Sequence, residues 1–362
     1  MRQRPADQAA LSDLSGRGPS APWIAALMLG AAACVTSRPA ATPPGSPEGP
    51  PEAGLTLLAL PEQLSDASLE FSALATWPGH GVIMVPQYPD RFGDQLWTIP
   101  GDQLLAVEAG ALSVAPGPLP VVGIQHATAL SNYEGFEALA IAPDGTVAML
   151  VEHRIDQRTV ATLLQGTLSD SALTLGVGCS VTLEPPALED NQSYEALLWD
   201  PQTGRWVAMP ELNGPPLVST PYFTAIDPRT CQTSRIDTVR VPWRITDVCA
   251  ADDATADQLT TINYFWDGDD NLKVDVDPLA ELQLPGATHR AAEHRERLVQ
   301  WSREAADGSA EPSWRPEAAL WLQLGERARN WEGIACLDSG WLLVTDRHPT
   351  TLLAFVRSSG RP

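Results

Sequence analysis

Basic side chains are scarce in this chain of 362 residues. Lys and Arg number 23 against 45 Asp and Glu, and the formal net charge is −22. Such a surface repels a phosphate backbone, which argues against nucleic acid as a partner. It also disfavours anionic substrates unless a cation lies between protein and ligand, and it suits cation binding or plain solubility. Several catalytic signatures are missing. There is no Gly-x-Ser-x-Gly elbow, no His-Glu-x-x-His zinc helix and no Gly-rich phosphate loop. Phe is rare, with six residues against 12 Trp. By contrast, 33 Pro and 27 Gly argue for many turns and few long helices. The length allows a large core, and all-β architectures of this size often form one domain.

Long apolar runs are absent as well. The most apolar stretch, APWIAALMLGAAA over 21–33, is too short to span a bilayer comfortably. It follows Arg2, Arg4 and Arg17 and ends immediately before Cys34, which is the layout of a secretory signal. Small residues ahead of a Cys resemble the lipobox of bacterial lipoproteins, in which that Cys is lipidated. The departure is Ala31, where Leu is usual, with Leu29 two residues too early. The expectation is a signal peptide over 1–33, lipid on Cys34, and a place at the bacterial cell envelope facing periplasm or exterior. Residues 34–54 are rich in proline and carry no run of large apolar side chains, so they read as a solvated tether. The folded domain then covers 55–362.

Within that domain one pattern recurs. FEALAIAPDGTVAM (136–149) aligns with YEALLWDPQTGRWVAM (194–209). FSALATWPGHGVIM (71–84), GIACLDSGWLLVTD (333–346) and, more weakly, ITDVCAADDATADQLTTINYF (245–265) follow the same plan. Each is an apolar strand, a turn and a second apolar strand, which is a β-hairpin signature. The equivalent positions Ala73, Ala138, Ala196, Cys249 and Cys336 are separated by roughly 53–65 residues three times and by a longer last gap. A lone sheet with two apolar faces cannot bury both, whereas a ring of sheets can. The expectation is an all-β fold, a β-propeller of five or six four-stranded blades. Leu55–Leu60 would complete the last blade, and a helical insertion would occupy 287–306. A β-sandwich is the competing fold.

Two repeats carry a sharper motif, Asn132-Tyr133-Glu134-Gly135-Phe136 and Asn330-Trp331-Glu332-Gly333-Ile334. Their second strands end in Glu152-His153-Arg154 and Asp346-Arg347-His348. This pattern resembles the esterase-like and phytase-like propeller domains of bacteria and the related small propellers named for regulation by a quorum-sensing factor. The resemblance implies a Ca²⁺ centre at the channel mouth, with Glu134 and Glu332 as ligands and Asp247 as a weaker one. Gln192 stands where Glu134 would align, so a full ring of acids is not expected. The plain alternative is that each Glu caps backbone N–H groups while the Gly permits a turn. Glu152, His153, Asp346 and His348 are candidates for general acid–base work, and Arg154 and Arg347 for ligand binding. Their alternative is a pair of solvated, salt-bridged strand ends.

Two lesser features carry little. Asp267-Gly268-Asp269-Asp270-Asn271 begins like a calcium loop, but Leu272 and Pro278 exclude an EF-hand. His289 and His294 are five apart, a poor helical spacing for a shared metal. With Cys34 set aside, Cys179, Cys231, Cys249 and Cys336 allow two disulfides in three connectivities; Cys249 and Cys336 equally fit buried thiols. The functional expectation is an envelope-anchored binding or scaffold propeller that recognises a protein or small molecule. The alternative is a Ca²⁺-dependent hydrolase of esters or phosphoesters.

Overall fold

A computed structural model describes residues 50–187, 192–251, 253–304 and 313–358. The proposed signal, Cys34 and most of the tether lie outside the described residues. Among those described, twenty strands build five four-stranded antiparallel blades. The first strand, β1 (Leu55–Leu58), belongs to the last blade. Blade 1 is β2 (Phe71–Trp77), β3 (Gly81–Pro86), β4 (Gln95–Pro100) and β5 (Gly117–Val122). Blade 2 is β6 (Tyr133–Ile141), β7 (Thr146–Ile155), β8 (Arg158–Ser169) and β9 (Ala172–Leu183). Blade 3 is β10 (Tyr194–Asp200), β11 (Arg205–Pro210), β12 (Tyr222–Ile226) and β13 (Thr233–Asp237). Blade 4 is β14 (Arg244–Ala250), β15 (Gln258–Phe265), β16 (Arg295–Glu304) and β17 (Ser313–Trp321). Blade 5 is β18 (Trp331–Leu337), β19 (Gly340–Thr345) and β20 (Leu353–Arg357), completed by β1 in the register Leu55 opposite Val356.

The inner strands β2, β6, β10, β14 and β18 touch one another in that order and close the ring from β18 back to β2. Blades 1 and 2 are also joined at their outer edges by a short parallel pairing, Val121 opposite Leu173. Neighbouring residues of a strand face opposite sides, and the sequence uses both. Along β3, Val82 and Met84 pack with Leu342 and Val344 of blade 5, while Ile83 and Val85 pack with Phe136 and Leu139 of blade 2. A core therefore lies at every junction. Trp206 is buried between blades 2 and 3, Trp301 and Trp314 between 3 and 4, and Trp341 between 4 and 5. The excess of Trp over Phe reflects this wide, flat packing space.

The hairpin repeat and the closing strand match the sequence expectation, with five blades rather than six. The long last gap is filled by residues 266–294, which connect β15 to β16. The helical insertion over 287–306 is corrected. Only Ala287–Ala291 is helical, and Arg295–Glu304 is strand β16. Two of its charges, Glu296 and Arg297, are buried and paired. Arg297 is fully buried, bonds Asp277 and Asn263, and stacks over Trp243 and Trp321. Glu296 holds Arg329 and the Trp331 indole N–H, the latter at 2.8 Å.

Both disulfides join neighbouring blades. Cys179 of β9 pairs with Cys231, which follows β12, and Cys249 of β14 pairs with Cys336 of β18. The buried-thiol reading of the second pair is thereby corrected.

Candidate active site at the channel mouth

Each inner strand begins with a β-bulge, and the bulge decides what reaches the axis. An extra residue interrupts the ladder at Ser72, Glu134, Glu137, Glu195, Thr246–Asp247 and Glu332. Bulges re-aim side chains at such places. Four of these six places carry a Glu, and Glu137, Glu195 and Glu332 feel one another's charge. The second strands supply further polar groups above them. Gln87 follows β3, Glu152 lies in β7, Glu211 follows β11 and Asp346 follows β19.

Burial dominates the protonation of this cluster. It raises Glu137, Glu195 and Glu332 well above the usual carboxylate range, and the neighbouring charges of Glu152, Glu211 and Asp346 respectively push further. Burial, with Glu211 and Glu134 nearby, lifts Glu152 to about 8. Glu211 is also raised by burial, but Arg244 opposes the shift through an ion pair of 2.7 Å, and Glu195 shares a hydrogen bond with it. Arg244 binds Asp269 as well, at 3.0 Å and 3.2 Å. The guanidinium is thus the internal cation of the cluster. Glu134 Oε2, Glu152 Oε1, Glu195 Oε2 and Glu211 Oε2 are buried without a hydrogen-bond partner among the described residues.

The sequence candidates divide. Glu152, Glu332 and Asp346 join the cluster. Glu134 lies at its edge, where Arg154 Nε donates to its Oε1 at 2.6 Å. Because Glu152 faces the channel, His153 faces the sheet, and its Nε2 meets Thr162 Oγ1 at 2.8 Å. Burial lowers the pKa of this imidazole. Arg347 leaves the mouth to pair with Glu70 at 3.0 Å, while its Nε donates to His348 Nε2. His348 itself borders an open cavity beside the cluster. Gln192 is buried with its Oε1 unpartnered. Both Glu-Gly motifs sit at a bulge, Glu134 between Tyr133 and Gly135 and Glu332 between Trp331 and Gly333, and β6 carries a second bulge at Glu137. The two glycines serve close approach between blades. Gly135, at φ 138°, lies against Gln87, and a Cβ at Gly333 would lie 2.8 Å from the backbone of Ala73 and Leu74.

Asp247 is held on three sides by backbone. Its oxygens accept from Ile334 N at 2.7 Å, Val248 N at 2.8 Å and Leu74 N at 3.2 Å. It clasps blades 4, 5 and 1 together at the axis. Glu134, Glu332 and Asp247 stand in three different environments. One is taken by Arg154, one is pushed toward its neutral form, and one is saturated by N–H groups. Among the described residues no three of His, Cys, Asp and Glu converge to hold a metal ion.

Sequence reading passed over Glu137, Glu195, Glu211 and Arg244, and set Asp269 aside with its acidic turn. The signal for the first two was present in the aligned repeats. FEALA and YEALL each set an acid inside an apolar inner strand, where FSALA has Ser72.

No family model and no curated protein matches the chain. Solved structures do align with most of it. The chain is similar to MPT-4, a mannose phosphorylase from Leishmania mexicana, at 12% identity over 85% of this chain and 88% of that one, with a TM-score of 0.41. It is similar to a GH43_1 enzyme from Xanthomonas citri at 9% identity over 82% and 91%, TM-score 0.43. A third is a member of the GH130 family of mannoside phosphorylases, a family containing glycoside hydrolases that target β-1,2 mannosidic linkages in Candida mannan, at 8% identity over 85% and 87%, TM-score 0.42. These neighbours are named as sugar-processing enzymes, and the expectation of a binding scaffold or a Ca²⁺-dependent ester hydrolase is corrected. At such identities and scores the likeness speaks to fold alone, so the chemistry must come from the carboxyl cluster.

Proposed function

We propose that the chain is an enzyme that cleaves a glycosidic bond at the channel mouth by carboxyl acid–base chemistry. One observation carries the reading. Two neighbouring carboxyls, Glu152 and Glu211, sit in environments that separate their roles. Glu152 is buried without a cation in hydrogen-bond contact and is raised to about 8, so it holds a proton at neutral pH. Glu211 is also raised by burial, but unlike Glu152 it is ion-paired with Arg244 and shares a hydrogen bond with Glu195, and both pull it toward the carboxylate. Glycoside cleavage needs this pairing of an acid with a carboxylate. Glu152 gives its proton to the bridging oxygen as the bond from that oxygen to the anomeric carbon breaks. Glu211 takes a proton from the water that attacks the carbon. Glu211 then releases its proton to solvent and Glu152 takes one up, so the enzyme is restored and the atoms balance as hydrolysis. Exposed Trp266, beside Tyr264 at the same mouth, offers the flat apolar surface that a sugar ring covers.

The test is a panel of aryl glycosides and oligosaccharides, run with and without inorganic phosphate. Turnover of at least one glycoside is expected, lost in Glu152→Gln and in Glu211→Gln while the melting temperature is retained. Turnover that survives both changes would remove these residues from the chemistry. Export with lipid on Cys34 belongs to the same proposal, supported by the apolar run before Cys34 and by two disulfides, which persist in oxidising compartments. Labelled fatty acid should attach to the wild type and not to Cys34→Ser.

A further inference from the structure

Beside the carboxyl cluster, on the side of blades 4 and 5, the mouth opens into a cavity of about 470 Å³. Its chemistry departs from that of the chain. In a protein of net charge −22, the wall of this cavity includes Arg244, Arg327 and His348 and no Asp or Glu among the described residues. Arg244 is neutralised by Glu211 and Asp269. Arg327 is different: it is exposed and makes no hydrogen bond or ion pair with any described residue. Leaving a guanidinium bare is cheap in water, but its place inside a ligand-sized cavity gives it a role.

The same cavity has a built platform. Trp266 stays 51% exposed, although a large apolar side chain is normally covered. One side of its indole ring lies against Gly268, where even a Cβ would collide with the ring. The glycine therefore leaves room for the indole at the cavity wall. Tyr264 and Asn330 complete the wall with an aromatic surface and an amide.

We infer that this cavity is a subsite for a sugar ring bearing an anionic substituent, with Trp266 stacking on the ring and Arg327 pairing with the charge. The inference rests on the carbohydrate reading of the mouth and extends it to a substrate class, acidic glycans such as uronic acid polymers. Arg327 would read the substituent through two parallel N–H donors, the geometry in which a guanidinium recognises a carboxylate. The surrounding negative surface would then repel acidic chains everywhere except at this opening, which favours one docking point.

Calorimetric titration of the full chain tests this with paired glycosides that differ only in a C6 carboxylate, alongside inorganic phosphate and sulfate. The uronide should bind at least about tenfold tighter than its neutral twin. Arg327→Gln should erase that preference, and Trp266→Ala should weaken both twins alike. Phosphate or sulfate binding as tightly as the uronide would identify a small-anion site and overturn the ring-bearing ligand. Equal affinity for the twins, or equal losses of both in Arg327→Gln, would overturn the charge reading. The two proposals separate cleanly. Neutral glycosides cleaved without acidic preference leave the enzyme standing and sink the subsite. Preferred uronide binding with no glycoside cleaved does the reverse.

Discussion

The five inner strands have two ends, and the ends could hardly differ more. At the start of the strands, bulges turn Glu137, Glu195 and Glu332 toward the axis, with Glu152, Glu211 and Arg244 above them. Toward the finish, β2, β6, β10 and β14 border a cavity of about 60 Å³ whose lining is mostly apolar, with Leu74, Leu139, Leu197, Leu198 and Cys249 beside Thr76 and Asp253, and Cys249 is tied to Cys336. Backbone, spacing and neighbours are shared along each strand. What changes is one extra residue, which turns an apolar ladder into an inward-facing polar ring. The comparison teaches that the far end supplies the rigidity on which the near end spends stability.

Exchange of single residues at the two ends sharpens this contrast. Glu152→Gln should lower turnover by about 10²–10⁴-fold, the usual worth of a general acid. Its thermal stability at pH 7.5 should not fall, because the change removes an acid whose burial resists ionisation. Kinetics and melting of the same sample decide the matter, and a large loss of stability with turnover kept would break the contrast. Leu139→Ala at the far end should do the opposite. It is 4% exposed, so truncation should cost about 2–5 kcal/mol of stability and leave turnover unchanged below the new melting range.

Replacing Cys249 and Cys336 together with Ser should cost about 2–4 kcal/mol, read by denaturant unfolding, again with turnover kept. The dependence on pH is a gradual effect, spread over several units. An acid whose folded pKa stands above its unfolded one binds an extra proton between the two values. Glu152 rises from 4.5 to about 8, so its contribution is complete below about pH 4.5 and gone by about pH 8. Stability should decline across that window by up to about 1.4 kcal/mol per unit for each such proton. Glu152→Gln should flatten the slope, and activity should show a basic limb near pH 8. An unchanged slope would mean that Glu152 is ionised at neutral pH.

The ring itself was legible because blade packing demands strands apolar on both faces, and that demand recurs in 71–84, 136–149, 194–209, 245–265 and 333–346. The site was legible in part. Glu152, Asp346 and Glu332 stand at strand ends that an aligned repeat exposes. Glu137 and Glu195 escaped because a bulge adds a residue that no alternation rule anticipates. The Glu-Gly motif drew attention to Glu134 although its glycine answers to a neighbouring blade. Arg244 and Asp269 come from segments with no repeat to flag them. Residues 295–304 were misread for a related reason: Glu296 and Arg297 look solvated in one dimension and are buried among Trp243, Trp321 and Trp331 in three.

The fifth sheet takes its outermost strand from residues 55–58 and its other three from 331–357. The earliest strand synthesised is therefore the last to be seated, and the circle stays unlatched until the C-terminal segment has emerged. Deletions at opposite ends of the coding sequence should injure one and the same joint. A chain released early from the ribosome would offer a three-stranded edge to any neighbour in the same plight, an invitation to exchange β1 between copies.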